Sequence, residues 1–502
     1  GMWGLALWNP KNRTLLLARD RFGVKPLYYA KCASGLAFAS EPKALLCLDP
    51  GLAEPDVPAL QRLIISSSAF GGADTFFRRI KSVPAGCFAI VSEGQAAVEP
   101  VSYWTYPEFD SRASSYSRKH ADDEFRSIFE SAVALRLRSD VPVGATISGG
   151  LDSSAIISAA SRQGHKLPSY TAVYGHNRGE ENWARICSDL AGNELHSVEV
   201  SFSDWLTTLK KITWHMDSPG FSPPVFPLWK IFERARADAV PVLLEGQGAD
   251  ELLGGYVHHA AAHVWDSARQ LKLVQAARDA SGLSGTFGWP LLSKWLLRSP
   301  VERSYTAWQM KFGRGRLLVS SGEDHAAHKA ASPSDFYGVL HRDHSTTILP
   351  SLLQYGDAVS MAHGIECRLP FMDYRLVEWV FRNHPDVLTR GESKAPIRTY
   401  LRQTGFGRLA DRRDKKGFTT PTASWLADNR QELGEMVFNN PNAELWQYVD
   451  YATYQKRRPA VETDFSASHT YKLLTTQLWL SNTRELVGQR RDSASPVGAD
   501  RG

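Results

Sequence analysis

Cysteine is scarce in this chain. The five residues Cys32, Cys47, Cys87, Cys187 and Cys367 are scattered with no CxxC spacing, which argues against a structural zinc site and a disulfide framework and fits a reducing compartment. No apolar run approaches the ~18–20 residues of a membrane helix, and no charged-then-apolar leader opens the sequence. The expected setting is the cytoplasm, with no membrane partner. Charge of one sign is not in excess either: 58 Lys and Arg face 53 Asp and Glu, a net +5, without a lysine-rich run, so nucleic acid is not an expected partner. Apolar content is ample, at 43% hydrophobic and 11% aromatic over 502 residues. At ~100–200 residues per domain, that length implies two or three domains.

The stretch VPVGATISGGLDSSAI, Val141 to Ile156, carries the clearest chemistry. Val141, Val143 and Ile147 make a β-rich run. Ser148, Gly149, Gly150, Leu151, Asp152, Ser153 and Ser154 form a turn that opens a helix. Adjacent glycines let backbone N–H groups approach a polyanion, and the helix turns its positive end toward it. A glycine pair alone is only a tight turn, and a serine pair alone only a helix cap. No lysine stands inside the turn, so this is not a Walker A loop and the cation must come from elsewhere. Asp152 would repel a phosphate unless a divalent cation lay between them, which makes it a candidate magnesium ligand.

A second apolar strand, Ala239 to Leu244, ends in EGQGADELLGGY, Glu245 to Tyr256. Ligands of doubly wound sheets bind at the carboxyl ends of strands, so Asp152 and Asp250 are placed to hold one Mg2+ from two sides. By itself the Asp250-Glu251 pair also reads as a helix cap. Phe125, Ile128, Phe129, Ala132 and Val133 recur at helical spacing, with Asp122, Asp123 and Glu124 expected in the first turn. Helix, strand, glycine turn, helix and a further strand from Leu167 to Tyr174 give the rhythm of a parallel α/β sheet.

Before this, Gly1 to Leu46 holds four closely spaced strands, a piece of antiparallel sheet, and Ile80 to Tyr106 holds more. The expected organisation is an incomplete sheet domain over 1–106, a polar linker over 107–120, a synthetase-like domain over 121–490 and a disordered tail over 491–502. The Trp-rich region from 257 to 346, with Trp265, Trp289, Trp295 and Trp308, reads as helical.

Several motifs together resemble one family. SGGLDSS is the signature of pyrophosphate-loop enzymes, which cleave ATP between the α and β phosphates. RDRFGVKPLYY, Arg19 to Tyr29, and Glu41 to Leu45 resemble the closing part of the glutaminase domain of glutamine-hydrolysing asparagine synthetases. Gly246, Gly248, Ala249, Asp250 and Glu251 match that family's SGEGADE, whereas Gln247 replaces a glutamate associated with its acceptor and ammonia side. Leu352 to Asp373 resembles a further block, in which Glu366 and Arg368 read as an ion pair and His363 as packed. Lys394 to Arg398 resembles the KxxLR segment, with lysine and arginine four apart on one helical face. Lys415 to Pro421 resembles a nucleotide-closing loop in which Lys416 meets pyrophosphate.

The resemblance implies an α/β fold with an antiparallel N-terminal-nucleophile-type sheet domain followed by a doubly wound synthetase domain with helical additions. It implies ATP and Mg2+, a small carboxylate acceptor and ammonia, and leaves a homodimer open. Lys394, Asp250 and Gln247 take the catalytic positions, with Lys394 neutralising the α-phosphate. The family's glutaminase nucleophile is an N-terminal cysteine. Here positions 1 and 2 are Gly1 and Met2, and Cys32 cannot take that role, so this chain alone is not expected to hydrolyse glutamine. The expected reaction adenylates a carboxylate, with aspartate giving asparagine. A β-lactam-synthetase-like or lasso-peptide-cyclase-like ligase with an amine on the substrate is one alternative, and a non-catalytic nucleotide-binding homologue another.

Overall fold

The computed structural model describes residues 1–33, 35–66, 72–95, 97–108, 118–175, 179–298, 335–413, 420–463 and 466–494. Seven of its strands lie in the N-terminal part: β1 (Gly4–Asn9), β2 (Thr14–Arg19), β3 (Tyr28–Cys32), β4 (Gly35–Ala39), β5 (Ile80–Ser82), β6 (Cys87–Ser92) and β7 (Val101–Ser102). They form two antiparallel sheets, ordered β1-β2-β6-β7 and β4-β3-β5. Leu17, Leu27 and Val83 pack together between them. The RDRFGVKP stretch is a loop built around Asp20. Its buried carboxylate accepts N–H groups of Trp3, Phe22, Val24 and Lys25, so the chain wraps a charge that backbone donors satisfy.

The second part is a five-stranded parallel sheet of β8 (Val143–Thr146), β9 (Ser169–Val173), β10 (Leu195–Glu199), β11 (Val242–Leu244) and β12 (Glu366–Arg368), in the order β10-β9-β8-β11-β12. β9 and β11 are buried along their whole length; β11 is accordingly a continuous apolar run, while β9 also buries Ser169 and Thr171. Alternate residues serve two cores. Ala145, Ile147 and Leu244 face one, and Tyr170, Ala172 and Leu243 the other, so helices cover both faces. Strand order reverses between β8 and β11, whose register pairs Val242 with Val143 and Leu244 with Ala145. The two glycine-rich turns therefore emerge side by side at the switch point, where open α/β sheets bind ligands.

Several expectations needed correction. The helix that leads into the parallel sheet runs from Arg118 to Leu137, three residues into the expected linker, and Asp122 to Glu124 lie beyond its first turn. Arg118, Lys119 and Ala121 are all good helix formers, which carries the helix back to that point. β12 lies in the block Leu352 to Asp373, where no strand is expected from the sequence, and is three residues long. β10 is only half-buried and lacks an apolar run. The last helix, Ser466–Ala494, reaches past position 491, and 495–502 lie outside the described residues. Within 257–346 the chain is helical over Val257–Arg269, Leu273–Phe287, Trp289–Arg298 and Phe336–Arg342, whereas 299–334, with Trp308, lie outside the description. The last helix also ties the two parts together, since Trp479 packs on Phe77 at 5.1 Å. Among the described residues no helix is long and apolar enough to cross a membrane.

Candidate functional site

The first turn is shaped by a steric demand. Gly149 has φ +61°, and a Cβ there would lie 2.4 Å from Trp183 backbone, so only glycine fits. Gly150 then caps the helix Leu151–Arg162 in extended geometry without a side-chain cap. The N-terminal N–H groups of that helix thus face the strand ends, an anion-binding arrangement. Within the turn, Ser148 Oγ accepts from Gly150 N at 3.3 Å, and Ser153 Oγ donates to Gly150 O at 3.3 Å. The turn's outer residues do different work. Leu151 belongs to the core, and Ser154 is fully buried with its N–H closing the first helical turn onto Gly150 O at 3.0 Å.

The second turn is pressed against the first. A Cβ on Gly246 would stand 2.8 Å from Asp152 Cβ, and Gly248, at φ +89°, would meet Met372 Cε. This close approach delivers Asp250 to the same place as Asp152. Between them sits Lys394, whose Nζ lies 2.6 and 2.7 Å from the two Asp152 oxygens and 2.5 Å from Asp250 Oδ1. Lys394 is buried and takes a left-handed backbone, φ +54°, as the cap of the helix Ala395–Gln403. It does not share a helical face with Arg398, as the spacing predicted, because the helix starts one residue later. A non-glycine residue held in that region marks stored strain, of order 1–3 kcal/mol, which surrounding structure must offset. Gly255 makes room for it: a Cβ there would lie 1.9 Å from Asp250 Oδ1 and 2.5 Å from Lys394 Cε.

Two arginines hold this arrangement: Arg398, of the lysine segment, and Arg412, which no sequence motif marked. Arg412 Nη1 donates to Gly149 O at 3.0 Å and Ser148 O at 3.4 Å, and its guanidinium lies 5.0 Å from the Trp183 ring. Arg398 is spent on backbone carbonyls of Ser393, Ala410 and Arg412, linking the lysine segment to the arginine that pins the first turn. No motif in the sequence pointed to Arg412, which stands beside Arg413 just before Lys415-Lys416. Lys416 lies outside the described residues.

Two buried carboxyls complete the surroundings. Glu251, which accepts from Tyr256 Oη at 2.5 Å, is pushed up to about 7 by burial and by the adjacent Asp250. Glu245 is pushed up to about 7 by burial, with Cys367 as its hydrogen-bond partner. Gln247 is half-buried with its Oε1 against Gly356, on the helix Leu349–Ala362. The next residue of that helix, Asp357, pairs with Lys25 of the N-terminal part at 2.6 Å. Glu366 and Arg368 pair at 2.8 Å, and Arg368 also donates to the carbonyls of Arg136 and Arg138. His363 packs edge-on against Trp229 at 4.3 Å. The structure thus brings together Asp152, Asp250, Lys394 and the backbone of both turns, while Gln247 lies against Gly356 of the helix Leu349–Ala362.

The pair of carboxylates suits a hard divalent cation, since both offer oxygen donors to one point now shared by an ammonium. The asparagine synthase family model matches residues 124–481, and the glutamine amidotransferase domain model matches residues 1–104. Among curated relatives, asparagine synthetase [glutamine-hydrolyzing] 1 of Bacillus subtilis is 26% identical, the match covering 96% of this chain and 77% of that protein. A putative asparagine synthetase [glutamine-hydrolyzing] of Mycobacterium tuberculosis is 30% identical over 85% of this chain and 68% of its own length. Amidase chry2 of Gibberella zeae is 26% identical over 91% of this chain and 74% of its own.

Proposed function

The chain belongs to the asparagine synthase family of amide-forming, ATP-using ligases, and from that premise we propose that it adenylates aspartate and passes the acyl group to ammonia, giving asparagine, AMP and pyrophosphate. The observation that carries this reading is Lys394 held between Asp152 and Asp250 at the mouth of the glycine-rich turn. A carboxylate oxygen attacks the α-phosphorus and pyrophosphate leaves. Charge grows on the α-phosphate oxygens and on the departing group, and that is where a buried ammonium and the helix N-terminus act. Asp152 and Asp250 would hold Mg2+, which supplies charge neutralisation on the pyrophosphate when bound. The main-chain N–H groups around Ser148 to Ser153 bind the phosphates, and Arg412 keeps their turn in shape. Gly246 and Gly248 let the second turn close on the first.

In the second step the amine nitrogen bonds to the acyl carbon and AMP departs with the oxygen that came from the carboxylate. Gln247 is neutral and cannot take a proton from the amine, so its part is to orient the acceptor. For residues 1–502 alone we assign free ammonia as the nitrogen source. Cys32 and Cys87 are strand residues whose thiols burial pushes upward, the opposite of an activated nucleophile. The replacement of a carboxylate by Gln247 favours one second reading, a carboxylate substrate carrying its own amine.

Incubation with magnesium ATP, aspartate and either ammonium or glutamine, followed by mass spectrometry, tests this. Asparagine with ammonium only is the expected product. Asparagine with glutamine would overturn the nitrogen assignment, and AMP formation with other carboxylates but never with aspartate would overturn the acceptor assignment.

A further inference from the structure

Outside the nucleotide site, a cluster of metal-type donors joins two elements distant in sequence. His258 and His259 lie in the first turn of the helix Val257–Arg269, and Asp343 opens the π-turn Asp343–Thr347, 85 positions after His258. His258 Nε2 stands 2.5 Å and His259 Nε2 2.9 Å from the same atom, Asp343 Oδ2. Successive helical residues ordinarily point about 100° apart, so they do not face each other. Here the two rings approach to 4.3 Å between centroids and bring the same nitrogen to one oxygen. The other oxygen is held in place: Thr347 Oγ1 donates to Asp343 Oδ1 at 2.7 Å and Arg342 Nε at 3.1 Å. That leaves Oδ2 facing the imidazoles.

We propose that His258, His259 and Asp343 form a second divalent-cation site, of the zinc or cobalt(II) class, separate from the Asp152 and Asp250 pair. Two imidazoles and one carboxylate are a donor set typical of zinc, whereas magnesium prefers oxygen ligands in an octahedron. One donor atom from each residue lies within 4.8 Å of the others, so an ion at about 2.0–2.2 Å from each needs only small side-chain shifts. His259 is fully buried and Asp343 nearly so, but the His258 side chain keeps 19% of its surface exposed, which gives an entry route and room for a water ligand. Tyr256 stacks on His258 at 5.4 Å and donates to Glu251, next to Asp250. An ion here would therefore clamp the helix Val257–Arg269 to the π-turn.

The test is a cobalt(II) titration of the EDTA-treated full chain, in which Lys394 already fills the oxygen-donor pair and excess magnesium blocks other oxygen sites. One equivalent should give the intense visible absorption of a four- or five-coordinate cobalt with nitrogen ligands, be displaced by zinc, and raise the melting temperature. His258→Ala, at the partly exposed ligand, should fold and lose both signals, while Asp152→Asn should keep them. Failure to develop the absorption, or its persistence in His258→Ala, would overturn the site and leave the cluster as a hydrogen-bonded anchor.

Discussion

Replacing Lys394 by methionine removes an ammonium from between two carboxylates while keeping an unbranched side chain up to the position of Cε. Asp152 and Asp250 each lie within 2.7 Å of that nitrogen, which places their oxygens no more than about 5 Å apart. At an effective dielectric constant of about 20, two charges at about 5 Å repel by roughly 3 kcal/mol. Asp250 keeps 28% of its side chain exposed, so solvent relieves part of this. The variant should therefore lose about 1–3 kcal/mol of stability in EDTA, and magnesium should return much of it. Wild type should show little magnesium response without nucleotide, since its own lysine fills the position. Loss of the charge at the α-phosphate should lower ATP–pyrophosphate exchange by about 10²–10³. Exchange within tenfold of wild type, or a melting temperature indifferent to magnesium in the variant, would refute the reasoning.

Three further outcomes are expected. Gly255→Ala should cut exchange at least as far as Lys394→Met with secondary structure intact by circular dichroism, because its Cβ would occupy the space of Asp250 Oδ1 and Lys394 Cε. Arg412→Ala removes a charged donor from two turn carbonyls, worth about 1.5–3 kcal/mol. It should raise KM for ATP roughly tenfold or more with a smaller change in kcat, read from initial rates. Glu245 binds its proton more tightly folded, at about 7 against 4.5, so its contribution to stability is present below pH 4.5 and lost as pH rises through 7. Urea unfolding at pH 5 and pH 8 should show Glu245→Gln losing about 2–3 kcal/mol less than wild type over that interval.

The two glycine turns were legible because their chemistry is local. A strand buried on both sides reads as an apolar run, and a glycine needed for close approach sits beside the polar residues it exposes. β10 and β12 were not legible, the one half-buried at an edge and the other three residues long, so neither carries a pattern of its own. Lys394 could be singled out by resemblance, but its left-handed cap and its two carboxylate partners depend on contacts 242 positions apart in the case of Asp152. Arg412 is the same kind of case: nothing in its neighbourhood announces that it will hold the carbonyls of Ser148 and Gly149. Glu245 is marked in the sequence only as the first residue of the second glycine-rich stretch. Its elevated proton affinity arises from burial, which the fold supplies.

The most direct test of the central claim is to follow oxygen. Aspartate labelled with 18O in its side-chain carboxylate, incubated with the chain, magnesium ATP and ammonium, should yield AMP carrying one 18O in its phosphate, because adenylation leaves that oxygen on phosphorus when the amine displaces AMP. AMP without label, or label appearing only from 18O water, would contradict adenylation of the acceptor and with it the proposed reaction.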